Sequence, residues 1–178
     1  MIVGEKVRLR AIERDDLPRF VEWFSDPDVR RYLDMYLPFS LAQEERWFES
    51  LQERLEKREV VMLTIETSGG AHIGNISLFD IHWKERHAEL GITIGEKDYW
   101  GQGYGTDAVR TMLRLAFEEM NLHRVFLRVH ADNARGIQCY EKVGFQKEGT
   151  LRENVFREGA YIDMYVMGIL ESEFAARE

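Results

Sequence analysis

Cysteine, proline, long apolar runs and excess positive charge are what this chain has least of, and each shortage closes off a class of protein. A single cysteine, Cys139, in 178 residues excludes an intramolecular disulfide. No apolar run approaches the roughly 20 residues that span a bilayer, and no apolar segment follows a basic start. A reducing cytoplasm, with no membrane partner, is the expected setting. The three prolines, Pro18, Pro27 and Pro38, all fall in the first forty residues, consistent with turns around two short N-terminal helices. No Pro/Gly/Ser-rich linker, repeat or low-complexity tract interrupts the chain. Its 44% hydrophobic content suffices for one domain over residues 1–178. Lys and Arg number 24 against 32 Asp and Glu, a formal net charge of -8 that argues against nucleic acid and suits a cationic partner. The histidines (His72, His82, His87, His123 and His130) make no His-Glu-x-x-His pair and no set with cysteine, so no metal site is expected. His82 and His87 flank a loop on the expected acceptor side, where strand-end histidines are ordinarily solvated.

What the chain does have is strong hydrophobic periodicity. Residues 6–12 alternate as an opening strand. Leu17, Phe20, Val21 and Phe24 recur at helical spacing, predicting a helix over 15–25 with Asp15 or Asp16 near its N-cap. Ser40 and Gln43 form a capping box for a second helix to about residue 57, which buries Trp47, Phe48, Leu51 and Leu55. Strands over 60–67 and 71–81 join across Ser68-Gly69-Gly70, and 87–95 completes a meander. Val109, Met112, Leu113, Ala116, Phe117 and Met120 form one stripe on a helix over 106–120. Residues 124–131 alternate again, and 133–143 form a short helix that Gly144 stops. Strands 145–151 and 161–169 close the chain as a hairpin across Arg157-Glu158-Gly159. The order β-αα-βββ-α-β-α-ββ predicts a mixed α/β (α+β) domain with a largely antiparallel sheet.

Between the strand 87–95 and the helix 106–120 lies Tyr99-Trp100-Gly101-Gln102-Gly103-Tyr104-Gly105-Thr106. Glycines here allow positive φ and close backbone approach to a ligand. The free amides at the following helix start suit a phosphate. No lysine follows at the P-loop spacing, which excludes that motif. Gly103-Tyr104-Gly105-Thr106-Asp107-Ala108 fits a dinucleotide fingerprint, with Asp132 as a ribose-binding acid, but only one strand–helix–strand unit surrounds it.

Two blocks in order carry a third reading. Trp100-Gly101-Gln102-Gly103-Tyr104-Gly105 resembles the [Gln/Arg]-x-x-Gly-x-[Gly/Ala] loop of the GCN5-related N-acetyltransferase (GNAT) superfamily, with Trp100 standing where the family has Gln or Arg. Asn133-Ala134-Arg135-Gly136-Ile137-Gln138-Cys139-Tyr140-Glu141-Lys142-Val143-Gly144-Phe145 resembles that family's second block. The likeness runs from Val7 to Asp163 and looks closest to the branch of ribosomal-protein N-terminal and spermidine N-acetyltransferases.

The resemblance implies parallel strands at 87–95 and 124–131 that splay apart. A pantetheine arm would lie along Ile92, Thr93 and Ile94. Gln102, Gly103, Tyr104, Gly105 and Thr106 would hold the pyrophosphate of acetyl-CoA, and Asn133 would bond near the pantetheine end. Acyl transfer to an amine needs a base, a polarised carbonyl and an acid for the departing thiolate. Tyr140 stands at the family position facing the cofactor sulfur, and a phenol of pKa about 10 stays protonated at neutral pH. Glu89, opposite in phase to Leu90, Ile92 and Ile94, is the candidate base through a water chain; an exposed strand glutamate is the plain alternative. Cys139 reads as a semi-buried helix residue, which favours direct transfer over an acyl-enzyme.

The acceptor is then a primary amine: a polyamine, another small cationic amine or a protein N-terminus. Its side would be built from the N-terminal helices, the connection 32–38, the loop 80–86 and the hairpin near 154–161. Glu44, Glu45, Glu85, Glu153 and Glu158 could attract a polycation or could be solvated surface. A CoA-sensing domain without turnover is the non-enzymatic alternative, and a homodimer is compatible with either.

Overall fold

The computed structural model describes residues 1–33, 35 and 37–177, and among these eight strands form one sheet. The chain opens with β1 (Ile2–Val3) and β2 (Val7–Ala11), which alternate into the core at Val7 and Leu9. Next come α1 (Leu17–Ser25), the one-turn α2 (Pro27–Arg30) and α3 (Leu41–Glu56). The capping box is present: the Ser40 hydroxyl accepts the Gln43 N–H at 3.3 Å, and the Gln43 side chain accepts the Ser40 N–H at 2.9 Å. The meander follows as β3 (Val61–Thr67), β4 (His72–His82) and β5 (His87–Ile94).

Then come α4 (Tyr104–Arg114), β6 (Arg124–His130), α5 (Ala134–Val143), the hairpin β7 (Gln146–Arg157) and β8 (Ala160–Leu170), and a closing α6 (Glu171–Ala175). The apolar stripe expected to 120 holds as burial, but α4 ends in a π-helical turn at Leu115–Glu119. Glu158 and Gly159 both take positive φ, at 52° and 81°, which sets a hairpin turn twisted to match its strands.

The strand order is β1-β2-β3-β4-β5-β6-β8-β7, antiparallel everywhere except between β5 and β6. That parallel joint pairs only His87, Ala88 and Glu89 with Arg124, Val125 and Phe126. Beyond Glu89 the two strands continue without pairing each other, so the sheet opens where its C-terminal ends diverge. This is the splay the resemblance implied.

Helices cover the two faces differently. α4 and α5 lie on one face, where Val109, Met112 and Leu113 pack with Ile76, Leu78 and Leu127 in a shared core. α1 and α3 cover part of the other, joining Phe20, Trp23, Phe48 and Leu51. Cross-strand partners share a face, so Asn75, Ser77 and Phe79 of β4 lie beside Thr93, Gly91 and Glu89 of β5 on this second side. The rest of that side stays open as a cleft.

Asp16 occupies the N-cap position of α1, as the sequence placed it, but its side chain makes no capping hydrogen bond. A 3-10 turn at Arg14–Asp16 precedes that helix, and Asp16 instead accepts from both Arg10 Nη atoms (2.7 and 2.8 Å) and from Thr64 Oγ1 (3.0 Å). One local expectation is corrected: the loop 80–86 does not face the acceptor. It turns at the paired end of β5, opposite the splay, with Trp83 Nε1 donating to the Arg58 carbonyl at 3.1 Å. Arg86 there donates to the backbone and side-chain oxygens of Asn121, at 2.7 and 2.8 Å.

Candidate active site

The glycine loop enters α4 through Gly103 at φ +88°, a left-handed conformation that a side chain would strain. The first hydrogen bond inside the helix runs from the Asp107 N–H to the Gly103 carbonyl at 3.0 Å, so the amides of Tyr104, Gly105 and Thr106 precede the ladder and are available to an anion. The loop is anchored from two sides. Lys6 Nζ donates to the Gln102 carbonyl at 2.9 Å, and the Gln102 side chain turns back to the Asp98 carbonyl.

Asp107 fixes the helix itself. Its carboxylate accepts the N–H groups of Glu5, Lys6 and Val7 at 3.1, 2.8 and 2.9 Å, binding the first strand region to the loop's helix.

A cavity of about 230 Å³ opens under this loop, lined by Ile92, Ile94, Gly103, Gly105, Thr106 and Tyr140 among others. Lys142 and Arg135 also line it and supply positive charge. Backbone amides, two cations, apolar strand residues and an unpaired strand edge together match the pyrophosphate and the pantetheine amides of CoA, whose groups would complete hydrogen bonds the splay leaves open.

Trp100 takes a role of its own here. Its indole N–H donates to the Ile94 carbonyl at 2.7 Å, and the Arg135 guanidinium stacks on its ring at 3.7 Å. Where the family resemblance has Gln or Arg at position 100, a cation beside this loop is thus supplied from α5. Burial lowers the Arg135 pKa from its ordinary value.

A second cavity, about 460 Å³, shares Ile92, Ile94, Trp100, Asn133, Arg135 and Tyr140 with the first and runs onto the open face of the sheet. Glu89 lines it and is only 5% exposed, so it is not a solvated strand glutamate. Arg128, across the splay on β6, grips its two oxygens at 2.8 and 3.1 Å. Tyr140 lies at the junction of the two cavities, and its hydroxyl has no hydrogen-bond partner among the described residues. Burial raises the phenol pKa well above the ordinary value, with the neighbouring Cys139 adding to the shift, so the group is held as a proton donor.

The hairpin closes one wall of this second cavity. Asn154 and Met164 line it, and Arg157 donates to the Arg31 carbonyl at 2.6 Å and pairs with Asp132. The connection 32–38 contributes Tyr32 and Leu33, while positions 34 and 36 lie outside the described residues.

Most of the residues singled out from sequence meet here. Ile92, Ile94, Gly103, Gly105, Thr106, Asn133 and Tyr140 line the first cavity, and Glu89 and Thr93 line the second. Asn133 also caps α5, accepting the Gly136 N–H at 3.0 Å. Tyr104 packs edge-on against Tyr99 at 5.0 Å and, like Gln102, can serve the site only through its backbone. Cys139 faces the loop end of the first cavity, 3.5 Å from Thr106 Oγ1, and burial pushes its thiol up. That is the opposite of an activated nucleophile.

Sequence reasoning missed Arg128, the Trp100–Arg135 stack and the three-amide role of Asp107. A signal existed only for Asp107, an acid in the first turn of a helix. The buried position of Glu44, treated from sequence as one of several surface acids, was also missed.

Comparison with known proteins agrees with this geometry. Residues 6–146 match the model of the acetyltransferase (GNAT) domain. The spermidine N(1)-acetyltransferase of Vibrio cholerae is 31% identical over 98% of this chain and 99% of its own length. A putative ribosomal N-acetyltransferase of Bacillus subtilis is 26% identical over 97% and 95%. The crystal structure of the Vibrio cholerae spermidine N-acetyltransferase with CoA and spermine superposes with a TM-score of 0.86 and 27% identity, covering 95% of this chain and 98% of that one. The splay, the amide-rich loop and the two blocks that flank it therefore have one explanation: this chain belongs to the GNAT acetyltransferase family.

Proposed function

We propose that this protein moves the acetyl group of acetyl-CoA directly onto the primary amine of a small cationic molecule, in the cytoplasm. The observation that carries the reading is that Tyr140 and Glu89, an acid and a base candidate, line one cleft that opens from the gap between β5 and β6. Acetyl-CoA, when bound, supplies an activated acyl group on sulfur. The amides of residues 104–106 hold its phosphates, and the unpaired edge of β5 from Gly91 to Ile94 aligns its amide arm. Tyr140 gives its hydroxyl proton to the departing sulfur. Glu89, oriented by Arg128, accepts the proton of the incoming ammonium through water, which is the step an amine of pKa about 10 requires at neutral pH.

Two relatives named for spermidine favour a small amine over a protein N-terminus. So does the wall in which Arg157 ties β7 to Arg31 and Asp132, which narrows the cleft on the hairpin side. The name of the Bacillus subtilis relative supports the protein N-terminus as a second reading. A sensing domain without turnover has no use for an unbonded acid at the sulfur position.

The test is thiol release from acetyl-CoA in the presence of polyamines, monoamines and N-terminal peptides. Release that depends on a small primary amine is expected. Release only with peptides would move the acceptor to the protein class, and none with any amine would remove the enzymatic reading.

A further inference from the structure

A third cavity, about 330 Å³, lies between α3 and the open face of the sheet, and its walls include the rings of Phe24, Phe39 and Trp47. Among the described residues that line it, one is charged: Glu44. This carboxyl is 4% exposed and has no hydrogen bond or ion pair among the described residues. A buried acid without a partner is costly unless something supplies the missing charge. Burial alone raises its pKa from the ordinary value. Glu44 sits in the first turn of α3, where a helix end favours an acid, but its carboxyl faces the cavity rather than solvent.

The cavity is continuous with the acceptor cleft, sharing Leu33, Asn75 and Thr93 with it. On that face β5 runs Glu89, Gly91, Thr93, a span of about 13 Å along an extended strand. Its midpoint is a glycine, where an added Cβ would crowd the Phe79 ring at 3.2 Å and Ser77 Oγ at 3.3 Å. The path from the reacting end to Glu44 thus crosses a residue without a side chain, flanked by the Phe79 ring and Ser77.

Resting on the amine-acetyltransferase reading above, we infer that this cavity receives the distal ammonium of a diamine or polyamine acceptor whose other nitrogen reacts beside Glu89 and Tyr140. Glu44 is its counter-charge, the aromatic faces attract the cation, and the methylene linker crosses Gly91. Acceptors are selected by a second positive charge at a set distance from the first.

The experiment compares 1,8-diaminooctane, octylamine and 8-amino-1-octanol as acceptors, which are long enough to follow the strand from Glu89 toward Glu44, share one reactive end and differ at the other. Wild-type enzyme is expected to favour the diamine by at least 10-fold in kcat/KM, mainly through KM. In Glu44→Gln, checked for fold by circular dichroism, that ratio falls toward one. Equal use of all three amines by the wild type overturns the inference without any variant, as does a preference that survives Glu44→Gln. So does stimulation of octylamine acetylation by the diamine, since a subsite requires competition. Turnover with none of these amines but with N-terminal peptides, or with no amine at all, would instead strike the underlying reading and take the inference with it.

Discussion

Replacing Tyr140 by Phe separates chemistry from packing because the structure predicts a small effect on stability and a large one on rate. The ring belongs to the main core cluster and packs edge-on against Phe145 at 5.9 Å, contacts that phenylalanine keeps. The hydroxyl has no partner among the described residues, so its removal breaks no hydrogen bond. The hydroxyl faces the two cavities rather than the core, so its loss should change stability by no more than about 1 kcal/mol, or a Tm shift of about 2–4 °C. Activity should move far more. A lost general acid costs about 100- to 10,000-fold in kcat, or about 2.7–5.4 kcal/mol of barrier. The assays are thiol release under saturating acetyl-CoA and amine, urea denaturation, and CoA titration by calorimetry. A variant that is slow, stable and normal in CoA affinity fits the assignment. Near wild-type turnover would refute it, and a destabilised variant whose lost activity follows its unfolded fraction would return Tyr140 to the core.

Asp107→Ala strands the amides of Glu5, Lys6 and Val7, each now bonded to a carboxylate, and should cost about 3 kcal/mol or more. A Tm fall of about 6–12 °C is expected in calorimetric scans, and a fall below 2 °C would contradict it. Gly103→Val forces a branched side chain into φ +88° at the loop, and should raise the CoA dissociation constant about tenfold or more while the sheet stays folded. An unchanged constant would remove the loop from phosphate binding. His72 is half-buried against Trp23 and Phe20, and that burial lowers its folded pKa despite the nearby Asp16 carboxylate. The unfolded chain therefore binds the proton more readily. The contribution of His72 is complete above the unfolded pKa of about 6.5 and is lost as pH falls toward the folded value, by at most about 1.4 kcal/mol per pH unit. Urea midpoints from pH 8 to 5 should show this fall and lose it in His72→Gln; midpoints that climb as pH drops would reverse the sign.

What could be read from sequence was local or periodic. The Ser40–Gln43 box, the Gly144 stop, the glycine loop and the alternating strands each announce themselves within a dozen residues, and the structure holds all of them. The pairings that place the site are not periodic. Arg128 lies 39 residues from Glu89, and nothing local marks that the two strands are neighbours whose charged side chains meet. Asp16 holds the N-cap position that its local signal marked, but its carboxylate is taken by Arg10 and Thr64, which approach only once β2 and β3 pair. Glu44 was hidden for the same reason: an acid on an amphipathic helix looks solvated until the facing wall is known.

The sheet is knitted at Glu89 and Phe126 by three residue pairs, whereas β3, β4 and β5, and likewise β6, β8 and β7, are zipped along most of their lengths. Each block is continuous in the chain, one ending at Ile94 and the other beginning at Arg124. Mechanically this is two plates on a narrow hinge, with the bundle of α4 and α5 behind it. Such a seam is the natural line of sub-global opening, where amide protons exchange before those within either plate. A donor molecule lying in the gap touches both plates at once and so acts as a splint across the hinge, slowing exchange on both flanks by an amount set by its concentration relative to its dissociation constant.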